Sequence, residues 1–173
     1  MILEKENFYK LEKLHINDAT ELFNLIIQNK NHLRKWLDWV DNTKDVSDTL
    51  NFIEMTLNKE KTTLSIVKKI VVKDKIIGLI SLNDEGEEVF NLGYWLNHDY
   101  CNKGLMTHIV KNFISTSNLK SVNSIIIRAQ PLNIASNKIA KNCGFRFVHR
   151  QKNAEIHQDK FIDLNIYKLM RNT

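Results

Sequence analysis

The apolar residues of this chain recur with two different periods, which divides the sequence into strands and helices. Residues 8–14 alternate apolar and polar side chains, as in a half-buried strand. Polar residues that can cap a helix then precede apolar residues at helical spacing over 22–27. A short helix is predicted over His32 to Val40. A longer amphipathic helix is predicted to begin after Asp45 and to end near Lys59.

The middle of the chain is rich in β-branched residues. Two such runs joined across 73–75 predict a hairpin, and a turn then leads into a third antiparallel strand over 89–96. A helix is expected from about Gly104, where apolar residues recur every four positions. The continuous apolar run in 124–129 is typical of a buried parallel strand.

The remaining elements complete a mixed architecture. A helix is predicted over 135–142 and stopped by Gly144, and final strands are predicted over 145–150 and 161–169. We therefore predict an α/β (α+β) fold with a single mixed, mostly antiparallel sheet of about seven strands, flanked by helices on both faces. One proline, no repeat and no low-complexity tract favour a single domain over residues 1–173.

Composition and charge narrow the functional classes. With 173 residues, the chain can bury a core without disulfides or metal, and its two cysteines favour a reducing compartment. The net charge of +5 is spread along the sequence, so no nucleic-acid groove is indicated. No histidine or cysteine spacing predicts a metal site. The sequence contains neither a signal-peptide core nor an apolar membrane span, so we expect a cytoplasmic protein.

A glycine-containing turn between a strand and a helix is the first chemical feature. Residues 93–107 contain the end of an apolar strand, a polar turn with Gly104 and a helix start. Backbone N–H groups in such a turn, together with the positive end of the helix dipole, can hold a phosphate. By itself this pattern is a weak signal, because many strand-to-helix turns contain a glycine.

Four short motifs occur in order along nearly the whole chain. They are Leu-Arg-Lys-Trp-Leu-Asp-Trp at 33–39, Leu-Gly-Tyr-Trp-Leu at 92–96, Tyr-Cys-Asn-Lys-Gly-Leu-Met-Thr at 100–107, and Asn-Ile-Ala-Ser at 133–136 followed by Asn-Cys-Gly-Phe at 142–145. In order and spacing they resemble the RimL-type ribosomal-protein N-acetyltransferases of the Gcn5-related N-acetyltransferase (GNAT) superfamily. The resemblance implies the GNAT fold, with a V-shaped splay between the strands at 94–96 and 125–127.

The resemblance also implies acetyl-CoA as a cosubstrate, with its pantetheine arm in the splay and its pyrophosphate on the 102–107 loop. It implies no metal. The cofactor-binding residues that it implies are Leu96, Asn97, Asn102, Lys103, Gly104, Leu105, Met106, Thr107, Asn133 and Ser136. Two residues depart from the superfamily pattern: Cys101 replaces a Gln or Arg, and Met106 places a long side chain where a small one is usual.

The implied reaction is direct attack by a primary amine on the acetyl thioester. By resemblance, Ser136 lies near the cofactor sulfur, Glu155 is the general base and Asn133 orders the cofactor or the substrate. Each has a simpler interpretation: Ser136 as a partner in helix capping, Glu155 as a solvated loop carboxylate and Asn133 as a turn residue. The tyrosine that serves many superfamily members as an acid is absent, because Ala140 occupies its position.

The acceptor is less constrained by the sequence. Trp36, Trp39 and Tyr94 are candidates for the wall of the acceptor site, although aromatic residues more often pack in a core. We predict an N-acetyltransferase that acts on the N-terminal amine of a protein, plausibly ribosomal. The alternatives are a polyamine, antibiotic or other small-amine acetyltransferase, for which the acidic turn at 84–88 is the only carboxylate cluster, and a catalytically lapsed CoA-binding module. Family members are often homodimers.

Overall fold

The computed structural model describes residues 8–117 and 122–170 of the chain. Within these residues, seven strands form one sheet in the order β1-β2-β3-β4-β5-β7-β6. The strands are β1 (Lys10–Lys13), β2 (Ile66–Val72), β3 (Lys75–Asp84), β4 (Val89–Leu96), β5 (Ser124–Ala129), β6 (Arg146–His157) and β7 (Lys160–Met170). Strands β4 and β5 pair in parallel, and the other neighbours pair antiparallel. The predicted mixed, mostly antiparallel sheet is confirmed.

Helices cover both faces of this sheet. They are α1 (Ala19–Gln28), α2 (Lys30–Leu33), α3 (Trp39–Asn42), α4 (Val46–Thr62), α5 (Leu105–Thr116) and α6 (Ile134–Asn142). One apolar core joins α1 and α4 to β2 and β3 through residues such as Leu22, Ile53 and Leu79. A second core lies under α5 and α6 and includes Ile109 and Ile127.

The helix expected over His32–Val40 was wrong, because α2 and α3 are two separate single turns with non-helical residues between them. Tertiary contacts explain the break. Trp36 and Leu37 line a cleft of the protein. The Asp38 Oδ1 lies 2.6 Å from the His157 Nδ1, on β6. A continuous helix would present these side chains on different faces.

Strand β6 is also longer than predicted, since it runs to His157 rather than ending at Arg150. It is an edge strand that pairs with β7 and leaves most of its residues exposed, so its side chains do not alternate in hydrophobicity. The predicted start of α4 is confirmed: Asp45 accepts a hydrogen bond from the Ser47 N–H and forms a capping box with Asp48.

The sheet opens between its two parallel strands. Residues Val89–Asn91 of β4 pair with Ser124–Ile126 of β5, and beyond Asn91 the two strands separate. The predicted V-shaped splay therefore exists, and it leaves the facing edges of both strands available to another molecule.

Candidate active site

A cleft of about 670 Å³ occupies the splay. Strands β4 and β5 form its sides, the starts of α5 and α6 close one end, and the segment after α2 covers another part. Its polar lining residues are His32, Glu85, Asn91, Asn102, Arg128, Gln130, Asn133, Ser136 and Glu155. The cleft thus joins residues that are far apart in the sequence.

Strand β4 turns unpaired amides toward this cleft. The Asn97 N–H donates to the Ile77 carbonyl at 2.7 Å, while Leu96 lies opposite Gly78. Because alternate residues of an antiparallel pair exchange hydrogen bonds, the N–H groups of Tyr94 and Leu96 point away from β3 and into the splay. The cleft can therefore pair with a ligand that carries amides of its own.

The loop before α5 can bind an anion. Asn102 and Gly104 both have left-handed backbones, with φ of 59° and 71°. The first bond within the helix runs from the His108 N–H to the Gly104 carbonyl at 3.2 Å, which leaves the three preceding N–H groups without an acceptor in the helix. Such a cluster at a helix N-terminus suits a phosphate.

The structure shows the surroundings of the two residues that depart from the superfamily pattern. The Met106 side chain is only 6 % exposed and belongs to the core under α5, and it also lines the cleft. The Cys101 thiol donates to the Asn97 carbonyl at 3.5 Å and lies 3.7 Å from the His32 Nε2.

The structure brings most of the predicted site residues to the cleft. Those that line it are Trp36, Tyr94, Leu96, Asn102, Leu105, Met106, Asn133, Ser136 and Glu155. Asn97, Lys103, Gly104 and Thr107 belong to the same loop and helix start but are not among the lining residues. The Lys103 ammonium donates to the Asp99 carbonyl at 2.6 Å, so its charge is held within the loop.

Ser136 and Asn133 have distinct roles at the start of α6. The Asn133 side chain caps the helix, because its Oδ1 accepts from the Ser136 N–H at 3.1 Å. The Ser136 hydroxyl is instead 3.0 Å from the Tyr94 hydroxyl, across the cleft on β4. Burial raises the pKa of Tyr94, and the hydrogen bond to Ser136 offsets part of that rise.

A buried amide fixes this helix start to the sheet. The Asn137 Nδ2 donates to the carbonyls of Gln130 and Asn133 at 2.9 and 2.7 Å, and its Oδ1 accepts from Asn165 and Tyr167 at 2.7 and 2.8 Å. These four bonds connect the loop before α6 to β7.

Two further charged residues line the cleft with Glu155: Glu85, from the acidic turn that the sequence offered for a polyamine acceptor, and Arg128, which the sequence did not identify. The Arg128 guanidinium forms a two-pronged ion pair with Glu85 at 2.5 and 2.7 Å, and both side chains line the cleft with Glu155. Hydrogen bonding to Glu85 raises the pKa of Arg128, and the charge of Glu155 adds to the rise. The acidic turn therefore reaches into the cleft through Glu85. The sequence of β5 offered a weak signal for Arg128, since this residue interrupts an apolar run.

A second, smaller cavity of about 250 Å³ adjoins the cleft. Gly93, Tyr94 and Trp95 of β4 contact both cavities. Trp39 lines the second cavity rather than the main cleft, together with Phe52 of α4, and their side chains are 41 % and 43 % exposed. Large aromatic side chains left this open around a cavity are typical of a binding surface.

A family model described as an acetyltransferase (GNAT) domain matches residues 10–146. The chain belongs to the GNAT acetyltransferase family. The enzyme is similar to the ribosomal-protein-serine acetyltransferase of Escherichia coli K12, with 25% identity over 157 residues that cover 87% of this chain and 86% of that protein. It is also 25% identical, over 162 residues, to the putative ribosomal N-acetyltransferase YdaF of Bacillus subtilis, covering 91% of this chain and 88% of the relative.

Solved structures share the fold of this acetyltransferase. The microcin C7 self-immunity acetyltransferase MccE, in complex with acetyl-CoA and AMP, has a TM-score of 0.89 and 27% identity and covers 96% of this chain and 94% of its own. The ribosomal L7/L12 acetyltransferase RimL with coenzyme A has a TM-score of 0.90 and 20% identity over 95% of both chains. Acetyl-CoA is therefore the cosubstrate of this enzyme, in agreement with the sequence prediction.

Two further structural observations concern the described residues. No group of three potential metal-ligating His, Cys, Asp or Glu side chains occurs among them. None of their helices is long and apolar enough to cross a membrane.

Proposed function

We propose that this acetyltransferase modifies the N-terminal amine of a ribosomal protein. The observation that supports this most directly is the joint presence of Ser136, Asn133 and Glu155 on one cleft beside unpaired β4 amides. The relatives named as ribosomal-protein acetyltransferases cover most of this chain and support the same substrate class.

The proposed chemistry divides among residues of this chain. The Glu155 carboxylate takes a proton from the attacking amine, directly or through water; a protein α-amine has an ordinary pKa of roughly 7.7–8.0, so this costs little at neutral pH. The Leu96 N–H is the proposed oxyanion donor, because the neighbouring Asn97 N–H is already donated to Ile77. Ser136 donates a hydrogen bond to the sulfur as the thiolate leaves.

Thiol release from acetyl-CoA tests this proposal. Peptides that begin with Ser or Ala should be acetylated at the α-amine, which mass spectrometry of the product can locate. Glu155→Gln and Ser136→Ala should each lower kcat by about 10²-fold. Glu54→Gln is a matched control, because Glu54 is an exposed residue of α4. Unchanged turnover of the Glu155 variant would remove it as the base.

A second candidate acceptor is a small amine that carries a planar aromatic group. The observation that favours it is the second cavity, where Trp39 and Phe52 stand half-exposed next to the β4 residues of the main cleft. A planar ring in this cavity would lie against these side chains. The MccE relative, whose structure contains AMP as well as acetyl-CoA, makes amines that carry a nucleotide the first to test.

Trp39→Ala and Phe52→Ala distinguish the two acceptors. If the acceptor carries an aromatic ring, each substitution should raise its KM about tenfold and leave the KM of acetyl-CoA unchanged. Met55→Ala on the same helix is the control, since Met55 is exposed and is not among the residues of the cavity. Equal activity of all three variants on every amine would exclude this cavity from acceptor binding.

A further inference from the structure

We infer that Tyr94 is a positioning residue for the departing thiol: its hydroxyl donates to the Ser136 Oγ and thereby directs the Ser136 hydroxyl at the sulfur. This inference rests on the proposed role of Ser136. It changes the interpretation of Tyr94, which the sequence offered only as part of an acceptor wall.

The geometry places the two hydroxyls on opposite sides of the cleft. Tyr94 is on β4, at the level where that strand has separated from β5, and Ser136 is in the first turn of α6. Their oxygens are 3.0 Å apart, and the Tyr94 hydroxyl can also donate to the Ser136 carbonyl, at 3.4 Å. The phenol hydroxyl therefore contacts the start of α6.

The helix contributes little else on this side. One turn after Ser136, the α6 face carries Ala140, which is fully buried and has no polar side-chain atom. The Asn133 side chain is engaged as the helix cap. Tyr94 is thus the side chain that the structure gives Ser136 as a hydrogen-bond partner across the cleft.

A serine hydroxyl has one proton, so the direction of this hydrogen bond decides what Ser136 can do. If Tyr94 donates to the Ser136 Oγ, the Ser136 proton is free to form a hydrogen bond to the sulfur. The Tyr94–Ser136 and Ser136–sulfur hydrogen bonds then form a chain in which each strengthens the other. The Tyr94 proton has two acceptors on Ser136, the hydroxyl oxygen at 3.0 Å and the carbonyl oxygen at 3.4 Å, and the inference assigns it to the nearer one. Burial raises the pKa of Tyr94, which keeps the phenol protonated. Tyr94 therefore supplies a hydrogen bond and no proton.

The reaction balances without proton transfer from Tyr94. The amine nitrogen forms a bond to the acetyl carbon, the carbon–sulfur bond breaks, and its electron pair stays on the sulfur. The proton that the amine loses to Glu155 passes to solvent, and the released thiolate takes up a proton from solvent. The Tyr94–Ser136 pair stabilises the negative charge that develops on the sulfur.

A double-mutant cycle tests this inference. Tyr94→Phe keeps the ring and removes the hydroxyl, and we expect kcat to fall about tenfold with the KM of acetyl-CoA changed less than about twofold. In the Ser136→Ala background the same substitution should have no further effect on kcat, because the residue that Tyr94 positions is absent. Tyr9→Phe is the control: Tyr9 also shares a hydrogen bond, with Asn112 at 2.9 Å, and is not among the cleft residues.

The outcomes separate this inference from the proposed function. The inference would be overturned if kcat were unchanged in Tyr94→Phe. It would also be overturned if the fall in kcat of the double variant equalled the product of the two single falls. In both cases the proposed role of Ser136 would stand. An unchanged kcat in Ser136→Ala would overturn both. A fall in kcat of the same size in Tyr9→Phe would assign the effect to the general loss of a tyrosine hydroxyl and also contradict the inference. Thermal unfolding of each variant verifies that the fold is intact.

Discussion

Gly78 on β3 lies where the neighbouring strand approaches most closely. A Cβ added there would be 2.2 Å from the Trp95 carbonyl oxygen and 3.0 Å from the Leu96 Cα. Both atoms belong to backbone that cannot move without disturbing the ladder. This glycine therefore keeps β4 in the position from which the Tyr94 and Leu96 amides face the cleft.

Gly78→Ala should lower the free energy of unfolding by about 1–3 kcal/mol and also reduce kcat, because the strand that lines the cleft must shift. Denaturant unfolding and thiol-release kinetics measure the two effects. Gly86→Ala, at a turn position where an added Cβ meets nothing within 4 Å, should have a smaller effect that comes only from its φ of +83°. Equal stability of the Gly78 variant and the wild type would contradict the close approach.

The two thiols provide a probe of cofactor binding. Burial raises the pKa of both Cys101 and Cys143, and the Asp99 carboxylate adds to the rise at Cys101. Cys101 lines the cleft and Cys143 is not among its lining residues.

We expect both thiols to react slowly with iodoacetamide near pH 7.5, because little thiolate is present. Acetyl-CoA should slow the alkylation of Cys101 several-fold further and leave that of Cys143 nearly unchanged. Peptide mass spectrometry over a time course measures both rates. Equal protection of the two thiols would indicate general stabilisation instead of occupation of the cleft.

At the scale of elements, the decisive feature is the start of α5. Gly104, whose backbone is left-handed, is the N-cap residue of this helix. The first N–H groups after it have no acceptor within the helix. The start of α6 differs, because the Asn133 side chain already accepts one of its N–H groups. Of the two helix starts on the cleft, α5 is the better phosphate site.

Gly104→Ala should raise the KM of acetyl-CoA several-fold, because the added Cβ strains the backbone that aims these N–H groups. Gly144→Ala is a matched control with a similar φ of +85° and an added Cβ at an ordinary 4.0 Å from Leu169. Both variants should lose about 1 kcal/mol of stability, whereas KM should change in the Gly104 variant alone. A similar rise in the KM of the control would mean that strain acts through stability and not through the phosphate site.

At the scale of the whole molecule, a short backbone ladder joins the two parts of the sheet on either side of the splay, and one apolar core contains residues of both parts. Three residue pairs join β4 to β5. The turn between β3 and β4 adds the Glu85–Arg128 ion pair and the Asn123–Glu88 hydrogen bond. A cosubstrate that pairs with the open edge of β4 and contacts the start of α6 would bind both parts at once.

Acetyl-CoA should therefore stabilise the protein. At 100 times its Kd, mass action predicts about 2.7 kcal/mol, which corresponds to a rise in Tm of roughly 5–10 °C for a protein of this size. Acetyl-pantetheine, which lacks the pyrophosphate, should give a smaller rise at the same concentration. Differential scanning calorimetry measures both. An unchanged Tm with saturating acetyl-CoA would contradict binding in the splay.

The sequence by itself determined the order of elements, the mixed sheet and the family. Hydrophobic period and helix caps are local properties, so α4, α5 and α6 were predicted within a few residues. The motifs also identified acetyl-CoA, and most of the site residues that they implied line the cleft.

Only the tertiary structure decided the relations across the sheet. The break between α2 and α3, the Glu85–Arg128 pair and the contact of Tyr94 with Ser136 join residues that are distant in sequence and have no local signature. The sequence and the structure both indicate the turn at Gly104 as the candidate phosphate site. The burial of Met106 at the start of α5 depends on packing in the second core, which no local pattern encodes.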